Sequence, residues 1–154
     1  MESISRDTFK LSVVMPCFNE YETIRTIVAQ VLAQPFDIEL VIVDDGSTDG
    51  TRDILAELER AHPQVRALLQ PKNQGKGAAL RRGFSAVTGD IILVQDADLE
   101  YDPSEYRALV EPILAGKADV VYGSRFAGVS HRVLYFWHSV GNRVLTTLSN
   151  IVTD

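Results

Sequence analysis

Three short apolar runs, each cut off by polar or acidic residues, constrain the fold of this chain more than any other feature. Leu11-Ser12-Val13-Val14-Met15-Pro16 stops at the proline and passes into Phe18-Asn19-Glu20. Ile38-Glu39-Leu40-Val41-Ile42-Val43 ends in Asp44-Asp45-Gly46-Ser47-Thr48-Asp49-Gly50, and Ile91-Ile92-Leu93-Val94 ends in Gln95-Asp96-Ala97-Asp98-Leu99-Glu100. Runs this short and apolar read as strands buried on both faces. Between them apolar residues recur with helical spacing: Ile24, Ile27, Val28, Val31 and Leu32; then Ile54, Leu55 and Leu58; then Ala78, Ala79, Leu80, Phe84 and Val87. Strands alternating with helices predict an α/β domain with a mostly parallel central sheet flanked by helices. In such a sheet the three polar strand ends converge on one edge, where open α/β sheets bind ligands.

The remaining elements follow from turn and cap chemistry. Val65-Arg66-Ala67-Leu68-Leu69 reads as a further strand, and Pro71 to Gly77 as a polar loop carrying Lys72 and Lys76. Gly46 permits a tight turn, after which Ser47 or Thr48 can cap the next helix. Asp102-Pro103 is a helix cap with proline at the first helical position. The helix after it carries Tyr106, Leu109, Val110 and Ile113, and Pro112 within it predicts a kink or break. Ala118-Asp119-Val120-Val121-Tyr122 reads as another strand, leading to Gly123-Ser124-Arg125-Phe126.

Composition narrows the function. The chain has 154 residues, enough for one domain with a real core. Its net charge of -6 argues against a nucleic-acid binder, which would show a basic face. The lone Cys17 excludes an internal disulfide and fits a reducing compartment. At the end of an apolar strand, with no His nearby in sequence to activate it, Cys17 reads as a buried filler. Residues 1–10 form a polar tail without the apolar core of a secretory signal. Val133 to Val152 is rich in apolar and aromatic residues but interrupted by His138, Asn142, Arg143 and Asn150. It reads as a helix that either covers a sheet edge or lies at a membrane interface, with Tyr135, Phe136 and Trp137 at headgroup level.

Closely spaced carboxylates at a sheet edge repel one another unless a cation, ligand or proton relieves them. Asp96, Asp98 and Glu100 therefore read either as a site for Mg²⁺ or Mn²⁺ shared with substrate phosphates, or as an acidic turn with a helix cap. A metal site beside the lysine loop suits a nucleoside diphosphate, with Lys76 or Arg125 contacting its oxygens. For Lys72 a solvated surface charge is the simpler reading. Asp44 or Asp45 can accept hydrogen bonds from a base or ribose. No Gly-x-Gly-x-x-Gly follows the first strand and no Gly-x-x-x-x-Gly-Lys-Ser/Thr occurs, which disfavours dinucleotide and P-loop enzymes. His62, His131 and His138 lack zinc-ligand spacing.

Taken in order, Val14 to Glu20, Val41 to Asp49, Asn73-Gln74-Gly75-Lys76-Gly77 and Asp96-Ala97-Asp98 resemble the motif set of inverting family 2 glycosyltransferases with the GT-A fold. Asp96 to Tyr101 and Tyr122 to Phe126 look most like the branch of dolichyl- or polyprenyl-phosphate sugar synthases. The resemblance implies a domain over residues 11–132 that binds a nucleotide diphosphate sugar, a UDP- or GDP-hexose, and Mg²⁺ or Mn²⁺. It implies a nucleotide-sugar pocket formed by Pro16, Phe18, Glu20, Val43, Asp45, Gly75, Lys76, Asp96, Ala97 and Arg125, with Asp96, Asp98 and Glu100 at the metal. The reaction implied is inverting transfer of the hexose to a polyprenyl (dolichyl or undecaprenyl) phosphate at the cytoplasmic face of a membrane. A polysaccharide or protein acceptor is the alternative, and the sequence is compatible with an oligomer. Members of this branch continue beyond the equivalent of Asp154. The chain is therefore expected to stop short of the acceptor side after residues 133–154, with catalytic residues beyond it, and a fragment that binds donor without turnover is a further alternative.

Overall fold

The computed structural model describes residues 9–123, and the elements below lie within the first of two compact units, residues 1–121. Four parallel strands form the sheet: β1 (Lys10–Cys17), β2 (Asp37–Asp44), β3 (Val65–Leu69) and β4 (Ile91–Val94), in the order β3-β2-β1-β4. The register sets Cys17 beside Asp44 and Val14 beside Val94, so the three polar strand ends meet at one edge. The chain runs outward from β1 to β2 and β3, then returns to β4 on the other side of β1. The reversal lies between β1 and β4, the switch point at which open α/β sheets form their ligand crevice.

Helices α1 (Ile24–Leu32), α2 (Thr51–Ala61) and α4 (Tyr106–Leu114) share one apolar core with Leu11, Val13, Met15, Leu40 and Ile42. Helix α3 (Lys76–Phe84) covers the opposite face, where Ala79 packs with Val41 and Val43. Alternate residues of β1 and β2 are thus buried on both sides, as parallel strands between helix layers must be. The expected inward faces of α1 and α2 are the buried ones. Two side chains depart from expectation. Phe84 on α3 is 43% exposed, and β4 alternates, with Ile92 and Val94 about half exposed on the α3 face. The reason is geometric: α3 sits over β1 and β2, and β4 is an edge strand among the described residues.

Gly83 sets the distance between α3 and the sheet. A Cβ there would stand 2.3 Å from Val14 Cγ1 and 3.3 Å from Val43 Cγ2. Gly83→Ala is expected to destabilise by about 1–3 kcal/mol through overpacking, although alanine gains roughly 1 kcal/mol in helix propensity. Urea unfolding checks this, and a stabilised variant would show that the spacing is set elsewhere.

Three local expectations are corrected. Helix α4 runs through Pro112 without a break and ends two residues later. It closes by hydrogen bonds from Lys117 N–H to Pro112 O and from Gly116 N–H to Ile113 O, with Gly116 at φ +67°. That is the Schellman arrangement, so the proline sits in the last turn, where a left-handed glycine ends the helix. Residues 118–122 form no strand, because a strand needs a paired neighbour and no described residue supplies one. Helix α2 is not capped by Ser47 or Thr48. Asp49 Oδ1 accepts from Thr51 N–H at 3.0 Å and from its hydroxyl at 2.6 Å, while Ser47 and Thr48 face the first loop. The Asp102–Pro103 cap is as expected, with Asp102 Oδ1 accepting from Ser104 N–H at 2.9 Å.

Candidate functional site

A cleft of about 320 Å³ opens at the switch point, within the usual size range of small-molecule sites. Pro16, Phe18 and Glu20 after β1, Asp45 after β2, Gly75 and Lys76 at the start of α3, and Asp96, Ala97 and Asp98 after β4 all line it. Nine of the residues singled out from sequence therefore meet in one place. Val43 does not: its side chain is fully buried against α3, near Gly83. It shares the α3 face of the sheet with the cleft, but α3 covers it: a Cβ on Gly83 would stand 3.3 Å from Val43 Cγ2. Glu100 is not among the lining residues. Arg125 and the segment 133–154 lie outside the described residues.

The first two loops are stitched together. Asn19 N–H donates to Ser47 Oγ at 2.9 Å, and Thr48 N–H donates back to Asn19 Oδ1 at 2.9 Å. Glu20 N–H donates to Thr51 Oγ1 at 3.0 Å. Asn19 adopts φ +56°, a left-handed conformation that asparagine tolerates and most side chains do not. Beneath these loops Asp44 is fully buried and takes Arg52 Nε at 2.6 Å, together with the backbone N–H groups of Gly46 and Ser47. The Arg52 guanidinium also donates to Gln70 O. Asp45 faces the cleft. Its Oδ1 accepts from Gln70 Nε2 at 2.6 Å and Gln74 N–H at 2.8 Å, and its Oδ2 accepts from Gly75 N–H at 2.7 Å. Asp45 thereby ties the loop that delivers Lys76 to the end of β2.

The acidic turn is held from below. Gln95 is buried; its Nε2 donates to Asp96 O at 3.1 Å and Tyr101 O at 3.0 Å, and its Oε1 accepts from Tyr106 OH at 2.8 Å. Burial pushes the Tyr106 hydroxyl well above its ordinary pKa, so it stays a proton donor to Gln95. Between Asp98 and Glu100, Leu99 adopts φ +62°. A leucine there carries strain of about 1–3 kcal/mol, the kind that gathers at binding sites. Lys76 Nζ lies 2.6 Å from Asp96 Oδ1 and 2.7 Å from Oδ2, so an ammonium already sits against this carboxylate. Cys17 is buried, and burial, then the charges of Asp44, Glu20 and Asp49, push its thiol far above the usual range. It is the inert filler expected from its position.

Among the described residues no three His, Cys, Asp or Glu side chains group as a metal site. Two carboxylates in a cleft nevertheless suit Mg²⁺ or Mn²⁺, which take one or two protein carboxylates and complete their shell with phosphate and water oxygens. Gln70, Gln74, Arg52, Gln95 and Tyr106 were not foreseen as parts of the site. The available signal was a glutamine directly after an apolar strand, at Gln70 and again at Gln95.

A parallel α/β sheet with an acidic cleft at its switch point, a lysine at a helix start and a carboxylate tied into the neighbouring loop defines a GT-A domain. The chain belongs to glycosyl transferase family 2, whose profile matches residues 12–153. It is 35% identical over 119 residues to the dolichol-phosphate mannosyltransferase of Pyrococcus furiosus, covering 76% of this chain and 33% of that protein. It is 38% identical over 123 residues to the undecaprenyl-phosphate 4-deoxy-4-formamido-L-arabinose transferase of Photorhabdus laumondii, covering 77% and 37%. Among solved structures, glucosyl-3-phosphoglycerate synthase from Mycobacterium tuberculosis in complex with UDP matches with a TM-score of 0.58 and 30% identity, over 73% of this chain and 42% of that one. Mannosyltransferase PcManGT from Pyrobaculum calidifontis, in complex with GDP-Man and Mn²⁺, matches with a TM-score of 0.55 and 28% identity, over 58% and 28%. The chain spans about a third of the length of the curated relatives it matches.

Proposed function

We propose that this chain is the donor-binding portion of a metal-dependent, inverting hexosyltransferase whose acceptor is a polyprenyl phosphate. The observation that carries this is the meeting of Asp45, Lys76, Asp96 and Asp98 in one cleft. Phe18, 44% exposed, and Pro16 offer an apolar wall to a base. Asp45 accepts from its polar edge or from the ribose. The diphosphate would lie toward Asp96 and Asp98, which would hold Mg²⁺ or Mn²⁺ with Glu100 close by in the same turn, and Arg125 would add a second cation. Bound there, the metal neutralises the diphosphate leaving group. Lys76 exchanges one oxygen partner for another, leaving Asp96 for a phosphate oxygen.

The acceptor assignment is supported by relatives named for dolichol-phosphate and undecaprenyl-phosphate substrates. A phosphate oxygen is already ionised at neutral pH and displaces at the anomeric carbon with less help from a general base than a hydroxyl needs. A polyprenyl tail stays in the bilayer, so the reading has the enzyme act at a membrane surface, on its cytoplasmic face. No described helix is long and apolar enough to cross a membrane.

Thermal melting with UDP, GDP, ADP and CDP, each with and without Mn²⁺, tests the donor site. A ligand at about a hundred times its Kd adds roughly 2.7 kcal/mol of apparent stability. Stabilisation that requires both a diphosphate and the metal is the expected result. Stabilisation by none of the four would sink the proposal for this chain.

A further inference from the structure

Taking the donor-site reading as given, we propose that the cleft selects a uridine diphosphate sugar over a guanosine one, and that Gln70 is the positioning residue that sets this preference. The argument is a count of acceptor positions on Asp45. A carboxylate offers about four lone-pair positions. Gln70 Nε2 at 2.6 Å and Gln74 N–H at 2.8 Å fill both on Oδ1, and Gly75 N–H at 2.7 Å fills one on Oδ2. Among the described residues this leaves one position for a ligand. The arrangement is built rather than incidental. Gln70 is 4% exposed, its backbone O accepts from Arg52, and its Oε1 accepts from Gln74 Nε2 at 2.8 Å. Its amide therefore has a fixed direction, with nitrogen toward Asp45.

The bases differ in what they ask of such an acceptor. Guanine presents two adjacent donors, N1–H and the 2-amino group, which both oxygens of one carboxylate would satisfy. With Oδ1 occupied, one of the two is left unpaired in a partly desolvated cleft, and unpaired donors are costly there. Uracil presents a single N3–H and needs one oxygen. Cytosine and adenine each set an unprotonated ring nitrogen beside their one amino donor, against the carboxylate. The carbonyls of uracil need donors in turn. Asn73 lines the same cleft, and its Oδ1 is taken by Gly75 N–H at 3.1 Å, which leaves its NH₂ as the available end.

Calorimetric titration in Mn²⁺ with UDP, GDP and N3-methyl-UDP tests this on the wild-type chain and on Gln70→Met, which keeps the volume and removes the donor. In the wild type, UDP is expected to bind at least tenfold tighter than GDP, and N3-methylation to cost at least tenfold. In Gln70→Met the UDP:GDP ratio is expected to narrow severalfold as one position on Oδ1 opens beside Gln74 N–H, a change that general loosening of the loop would not produce. Equal or tighter GDP binding by the wild type overturns the uridine assignment, as does N3-methyl-UDP binding as well as UDP. An unchanged ratio in folded Gln70→Met overturns the role of Gln70. If that variant does not fold, the two wild-type comparisons still decide the uridine assignment, and Gln74→Met, which releases the Gln70 amide from its second anchor, takes its place for the role of Gln70. Binding of no diphosphate at all would instead remove the donor-site reading on which the proposal rests.

Discussion

Asp98→Ala is expected to lower nucleoside diphosphate affinity in Mn²⁺ by on the order of a hundredfold while leaving the fold intact. Losing a group that merely supports a metal ligand costs about 10–100-fold, and losing the ligand itself costs at least as much. The stability cost is small for a structural reason. Asp98 is exposed, and its Oδ1 accepts from Glu100 N–H at 3.0 Å, a contact within one turn. Surface changes of this kind stay within about 0.5 kcal/mol, or a few degrees in Tm for a domain of this size. Titration of the variant with and without Mn²⁺ gives the answer. An affinity equal to wild type in the presence of metal would mean that the acidic turn is only a turn. Asp96→Asn differs in kind, since it also releases Lys76: it should weaken diphosphate binding in Mn²⁺, while without metal the loss of a carboxylate and the freed ammonium leave binding undiminished.

Arg52→Met should be the most destabilising of the conservative changes near the site. Asp44 is fully buried, and Arg52 is the cation that meets its carboxylate, at 2.6 Å. Removing one partner of a buried pair costs about 3–5 kcal/mol, because the other charge stays behind without compensation. The lower end of that range applies, since the Arg52 side chain is about a third exposed and the Gly46 and Ser47 N–H groups still reach Asp44. Chemical denaturation measures the loss. Arg52 also holds the backbone of Gln70, so donor affinity is expected to fall with stability. A loss below about 1 kcal/mol would show that the backbone donors alone sustain Asp44.

Much of this architecture was legible in the chain, for reasons that mark where such legibility ends. Ile24, Ile27, Val28 and Val31 recur at helical spacing because one face must be buried, and they are the buried residues of α1. The three polar strand ends could be brought together on paper because parallel strands share a direction. Val43 does not line the cleft because a motif names a segment, whereas the helix packed on that segment decides which of its side chains are left open, and α3 lies on Val43. Ser47 and Thr48 were assigned to a helix cap because capping is a local rule. They serve instead a partner 28 or 29 residues away, which no local rule reveals. Gln70 and Arg52 escaped notice for the same reason: their roles rest on the distance between β2 and the ends of neighbouring elements. Pro112 shows the converse, where a rule about helix interiors meets a helix that ends within two residues.

The cross-links between the loops after β1 and β2 divide the cleft into unequal halves. On the side of Asn19, Ser47, Thr48 and Thr51, the backbone is already committed to one shape before any ligand arrives, and there is little disorder left to lose. On the other side, the Asp96 carboxylate is held by the exposed Lys76 ammonium, a contact that would open under the proposed function. The entropy of capture is therefore concentrated on one lysine and one strained leucine turn. A donor would meet a fixed jaw and a yielding one, and the speed of closure would be governed by how fast the yielding jaw lets go.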